Sequence, residues 1–146
     1  MIELLANIDV DDLEKAIAFY NRALGLRLER RLGATVVEML GASSPIYLLA
    51  KPAGSSAVAS SPLTRDYSRH WTPVHLDFVV SDLEAAVHNA EAAGATLEGE
   101  IQVHPWGRMA NMGDPFGHGF CLLQFTGRGY DEIAQSSGAS MSKDVS

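Results

Sequence analysis

His75 and Asp77 stand two residues apart in the run V-H-L-D-F. In an extended strand, residues at that spacing share one face, so an imidazole and a carboxylate would lie side by side. An imidazole so placed suits a general base, or a ligand-binding donor and acceptor, with Asp77 as its neighbour. His75 is therefore the candidate catalytic residue and Asp77 a candidate ligand-binding one. The alternative is a histidine satisfied by nearby backbone. A second group, His104, Trp106 and Arg108, lies in H-P-W-G-R. An imidazole, an indole and a guanidinium close together suit an aromatic or anionic ligand. The competing reading is a proline-anchored loop with Trp106 buried. His70 and Trp71 close a long loop and would either cover a site or simply dock.

The elements that must position these residues come in two copies. Asp12-Leu13-Glu14 recurs as Asp82-Leu83-Glu84, an offset of 70 positions, and Ala16 recurs as Ala86. Ile46-Tyr47-Leu48-Leu49 lies over Phe120-Cys121-Leu122-Leu123 at an offset of 74. Two copies of one unit of about 50 residues thus fill most of the chain. Residues 2–8 and 74–80 read as strands, short and apolar before acidic turns. Asp11 or Asp12, and Ser81 or Asp82, are N-cap types ahead of helical patterns. Leu13, Ile17, Tyr20 and Leu24 predict one amphipathic stripe closed by Gly25. Leu83, Val87, Ala90 and Ala93 predict another closed by Gly94. Strand-like pieces follow at 26–31, 34–40 and 45–50, and again at 96–103, 107–112 and 119–125. Each unit is therefore β-α-β-β-β. In the first strand Leu4, Ala6, Ile8 and Val10 are expected on the helix. Glu3, Leu5, Asn7 and Asp9 then take the opposite face. Asn7 and Asp77 correspond across the repeat, as pocket groups or as strand-end hydrogen-bonders.

The expected organisation is a first βαβββ module over 1–52, a linker loop over 53–73, a second module over 74–126, and a tail over 127–146, partly disordered. The Ser-, Ala- and Pro-rich loop is long enough to suggest a lid or a flexible linker. Asp114-Pro115-Phe116-Gly117 fits a type I turn. His118 then reads as a strand-end residue, Tyr20 as core, and Cys121, between Phe120 and Leu122, as a small buried hydrophobe.

Across all 146 residues the hydrophobic fraction is 47% and the net charge is -7. That composition excludes wholesale disorder and disfavours nucleic-acid binding, since no basic footprint exists. The single cysteine cannot form an internal disulfide, which suits a reducing, cytoplasmic setting. No signal peptide and no membrane-length apolar run is read. Neither a phosphate-binding glycine loop nor a G-x-S-x-G elbow is present.

The segment Asp12 to Leu26 (DLEKAIAFYNRALGL), with D-P-F-G at 114–117 followed by His118, resembles the vicinal oxygen chelate superfamily. That is the glyoxalase, bleomycin resistance protein and dioxygenase family. The resemblance covers roughly residues 2–126. It implies an α+β protein whose tandem βαβββ repeats form a cupped mixed sheet, the glyoxalase/bleomycin resistance/dihydroxybiphenyl dioxygenase fold. It further implies that four positions, Leu5, Tyr47, His75 and Cys121, converge where metal-dependent members chelate a divalent ion. Of these only His75 matches. Leu5 supplies no donor, and Tyr47 and Cys121 replace carboxylates, so the resemblance implies the fold and cup without the metal chemistry.

Two functional readings follow. The first is a small-molecule binding protein of the bleomycin-resistance type, without the usual metal and with no other cofactor, acting as a homodimer. Its ligand-binding candidates are Asn7, Tyr47, Asp77, His104, Trp106 and Arg108. The alternative is a metal-dependent lyase, isomerase or dioxygenase that uses His75. Neither involves nucleic acid or membrane.

Overall fold

The computed structural model describes residues 1–135. Four strands and a helix form the first unit: β1 (Ala6–Val10), α1 (Leu13–Leu24), β2 (Arg27–Leu32), β3 (Val36–Leu40) and β4 (Ile46–Ala50). The second unit holds β5 (Leu76–Val79), α2 (Leu83–Ala93), β6 (Thr96–Leu97), β7 (Gln102–His104), β8 (Gly107–Gly113) and β9 (Gly119–Phe125). The strand order is β1-β4-β3-β2 in one sheet and β5-β9-β8-β6 in the other, with β7 also pairing β8. Both sheets are mixed, because β1 runs parallel to β4 and β5 runs parallel to β9. This is the α+β architecture the repeat predicts.

Each helix begins where a carboxylate can satisfy a free amide. Asp12 caps α1 through Lys15 N, and Asp82 caps α2 through Ala85 N, both at 3.1 Å. Gly25 ends α1 at φ 70, a left-handed conformation that glycine enters without steric cost. The predicted stripe on α1 is corrected. Ala16, Phe19, Tyr20 and Ala23 are buried, while Leu13, Ile17 and Leu24 are half-buried at the margin. The helix packs on its own sheet and on α2, so small Ala16 and Ala23 allow the close approach that leucines would block. On α2, Leu83, Val87 and Ala90 are buried as expected, while Ala93 is half-buried.

The first strands are shorter than predicted. Ala6 pairs with Ile46, and the Ala6 amide donates to the Pro45 carbonyl. Proline has no N–H to return, so the ladder stops there. Leu4 consequently lies before the strand and is exposed rather than packed on the helix. The predicted strand 96–103 is interrupted at Gly99, whose φ of 77 turns the chain between β6 and β7.

The long connection is docked rather than free. The Arg65 guanidinium bonds Asp9 Oδ2 on β1 at 2.7 Å, and the Tyr67 hydroxyl donates to the Lys51 carbonyl at 2.7 Å. His70 bridges to His118, and the Trp71 ring covers Gly119. A Tyr20–Asp114 hydrogen bond ties α1 to the D-P-F-G turn of the other unit. Asp114 Oδ1 accepts from the Phe116 and His118 amides, which fixes that turn. A short 3-10 turn at Gly129–Glu132 follows β9. Most of the predicted disordered tail, from Ser136 onward, lies outside the described residues. No helix among the described residues is long and apolar enough to cross a membrane.

Candidate functional site

The strand registers assemble two polar rows. On the first sheet Asn7 pairs with Tyr47, Tyr47 with Glu38, and Glu38 with Arg30, so the four share a face. On the second sheet Asp77 pairs with Cys121 and Cys121 with Asn111. The sequence reading missed Glu38. Its signal was a carboxylate inside the apolar run V-V-E-M-L. Arg30 Nε donates to Glu38 Oε1 at 2.9 Å, and the Tyr47 hydroxyl donates to Oε2 at 2.6 Å. The Arg30 bond and then the Tyr47 bond hold the Glu38 carboxyl below the usual carboxylate range. The bond to Glu38, reinforced by burial, raises the Tyr47 phenol.

In the second row His75 Nε2 lies 3.3 Å from Asp77 Oδ1. The ligand atoms of His75, Asp77 and Cys121 all fall within 4.8 Å of one another. Cys121 is buried, and its thiol is pushed up to about 12, first by burial and then by the Asp77 charge. Its Sγ donates to Asn111 Oδ1 at 3.4 Å.

A pocket of about 410 Å³ opens between β1, β5 and the end of the long loop. Asn7 and Asp9 enter it from β1, His75 and Phe78 from the second unit's first strand and the residue before it, His70 from the long loop, and His118 from the turn before β9. Thus the structure brings Asn7 and His75 together, adds His70 and His118, and keeps Asp77 beside His75. Asp77 itself lines a second groove of about 730 Å³, bounded by α1, the β3–β4 turn and α2. Tyr47 and Cys121 line neither cavity.

His104, Trp106 and Arg108 are placed elsewhere. His104 stacks on Trp106 with ring centroids 4.8 Å apart, and Trp106 packs on Phe125 and Tyr130. Arg108 holds the Glu84 carboxylate through both terminal nitrogens and donates to Gln124 Oε1 at 3.0 Å. Gln124 Oε1 in turn accepts from the Leu83 amide, so this guanidinium anchors the first turn of α2. The anionic ligand suggested by H-P-W-G-R therefore has no free guanidinium at Arg108.

The resident donors do not reproduce a four-ligand divalent site. Leu5 has no donor atom and precedes β1, and the Tyr47 oxygen is engaged by Glu38, so two of the four positions that the family resemblance points to offer no free donor. His75, Asp77 and Cys121 form a different, mixed nitrogen, oxygen and sulfur set.

A family model described as Glyoxalase-like domain matches residues 6–123. No curated protein matches the chain. Among solved structures, the genomically encoded fosfomycin resistance protein FosX from Listeria monocytogenes is 20% identical. The alignment covers 92% of this chain and all of that one, with a TM-score of 0.67. A mutant FosX has been solved with Mn(II) and 1S,2S-dihydroxypropylphosphonic acid. TnmS3, an antibiotic binding protein from Streptomyces sp. CB03234, is 24% identical over 86% of this chain and 97% of its own, with a TM-score of 0.62. Lactoylglutathione lyase from Agrobacterium tumefaciens is 20% identical over 85% and 92%, with a TM-score of 0.58. At these identities the likeness is one of fold, and one fold hosts many chemistries.

Proposed function

Because the chain belongs to the glyoxalase-like domain family, we propose that it binds a small organic molecule in the pocket between β1 and β5, without a divalent metal. The observation that carries this reading is the donor set. Of the four positions that the family resemblance assigns to metal ligands, Leu5 offers an aliphatic group, Tyr47 a phenol already engaged by Glu38, and Cys121 a buried thiol. The pocket needs no ion to hold a ligand, because it combines apolar walls from Leu76, Phe78 and Phe120 with the polar groups of Asn7, His75 and His118. TnmS3, with a similar fold, is an antibiotic binding protein. The reading includes a cytoplasmic homodimer. It is supported by the lone cysteine and by the exposed Leu28 and Leu32 on edge strand β2.

The test uses Trp71, whose ring lies 5.8 Å from His75, as a fluorescent reporter in a Trp106→Phe background. A panel of small aromatic compounds is titrated with and without a chelator. Saturable binding that survives the chelator and weakens about tenfold in His75→Ala supports the reading. Binding that appears only after a divalent ion is added overturns it.

The metal-dependent alternative rests on His75, Asp77 and Cys121. A thiolate and an imidazole are zinc-type donors, and Asp77 adds a carboxylate. Stoichiometric zinc retained by the purified protein and lost in Cys121→Ser would favour this second reading.

A further inference from the structure

We propose that the pocket selects an uncharged ring compound bearing hydrogen-bond donors, and that the His70 and His118 imidazoles act as acceptors toward that ligand. This inference rests on the binding reading above and narrows its ligand class.

The argument starts from which ring nitrogen is already engaged. A carbonyl or carboxylate oxygen only accepts, so an imidazole nitrogen facing one carries the proton. His70 Nδ1 meets the Ser68 carbonyl at 2.8 Å, and His118 Nε2 meets the Asp9 carbonyl at 2.6 Å. In both rings one nitrogen is thereby committed as a donor to the protein. The other, Nε2 of His70 and Nδ1 of His118, has no hydrogen-bond partner among the described residues. In the neutral ring that nitrogen is an acceptor. The His70 and His118 rings lie 5.3 Å apart, edge to face, so both can meet one ligand.

Charge at the pocket points the same way. No lysine or arginine lines it, and its one carboxylate, Asp9, is ion-paired with Arg65 at 2.7 Å. An anionic ligand finds no cation there, and a cationic one finds a carboxylate already neutralised. Ile8, Leu76, Phe78 and Phe120 supply apolar wall, so a flat ring with O–H or N–H groups at its edge matches both surfaces. A ligand lacking those donors would strand the acceptors away from water, which is where such a site gains selectivity.

The experiment uses three probes of one skeleton: 2,7-dihydroxynaphthalene, its dimethyl ether and 2-naphthoate. Titrations are done on the full chain in chelator, well above the ordinary imidazole range of about 6.5. The expected result is that the diol binds at least about tenfold more tightly than either of the others. His118→Gln and His70→Gln should each shrink the ratio of diol to ether affinity. Because this ratio is read within one variant, a general loss of folding that weakens both probes does not imitate the effect. If ether or naphthoate equals the diol, or if the ratio is unchanged in both variants, the inference is overturned while the binding reading stands. If no probe binds without added metal, the binding reading itself fails and this inference falls with it.

Discussion

The Tyr20 hydroxyl and the Asp114 carboxylate, 94 positions apart, share a buried hydrogen bond of 2.5 Å. It joins the helix of one unit to the D-P-F-G turn of the other. Tyr20→Phe removes the donor and leaves a buried carboxylate oxygen short of a partner, at a cost of about 1–3 kcal/mol. Urea unfolding should show a lower midpoint with an unchanged slope. Burial, and then the Asp114 charge, raise the Tyr20 phenol well above 10.0. In the unfolded chain that phenol ionises near 10, so the folded state there holds the extra proton. Stability from Tyr20 is therefore complete below about pH 10 and falls as pH rises beyond it. The fall should be shallower in Tyr20→Phe.

Acid sensitivity has its own marker. Arg108 holds the Glu84 carboxyl down to about 2, against an ordinary value of 4.5. A lowered carboxylate contributes above its unfolded value and loses that contribution as pH falls through the folded one. Thermal midpoints followed between pH 4.5 and pH 2 should decline less steeply in Glu84→Gln than in the parent chain. The same variant should leave ligand affinity within about twofold, since the pair anchors α2 and not the pocket. A large affinity loss would return Arg108 to the site.

The Cys121 thiol offers a third measurement. With its acidity pushed to about 12 and its side chain buried, the folded protein should react with a disulfide reagent near neutral pH far more slowly than a free thiol does. Asp77→Asn removes the charge that opposes ionisation and should quicken the reaction severalfold. Full unfolding should bring the ordinary rate. Rapid labelling of the native chain would contradict the buried placement.

Gly119 faces the Trp71 indole so closely that any added Cβ would overlap the ring. Gly119→Ala should therefore lift Trp71 off β9 and shift its emission to the red in a Trp106→Phe background. Because His75 packs against the same indole, the probe affinity should drop with it. An unchanged spectrum would show that the loop end sits elsewhere.

The element order was legible because capping and periodicity are local. Asp12 and Asp82, Gly25 and Gly94 mark helix ends within a few residues of the apolar pattern. The repeat then supplied the same element order for both units, while which strands pair came only from the structure. The extent of β1 was not legible, because it depends on Pro45 facing its first residue across the sheet. Glu38 went unread for a similar reason: its partners Arg30 and Tyr47 lie on neighbouring strands. His70 and His118 looked like a loop end and a strand end when taken singly. Only the bridge between them places both at one pocket. Conversely, H-P-W-G-R grouped three residues by proximity in sequence, and β8 sends Arg108 toward α2 and leaves Trp106 among Phe125 and Tyr130.

The docked connection between the units is itself part of the pocket. A lone βαβββ unit could fold its sheet over its helix, and two separate copies could associate. Neither would possess a pocket walled by His70 and Thr72, which belong to the connecting chain. Shortening or cutting that connection would therefore open one wall of the pocket while leaving both sheets and both helices intact.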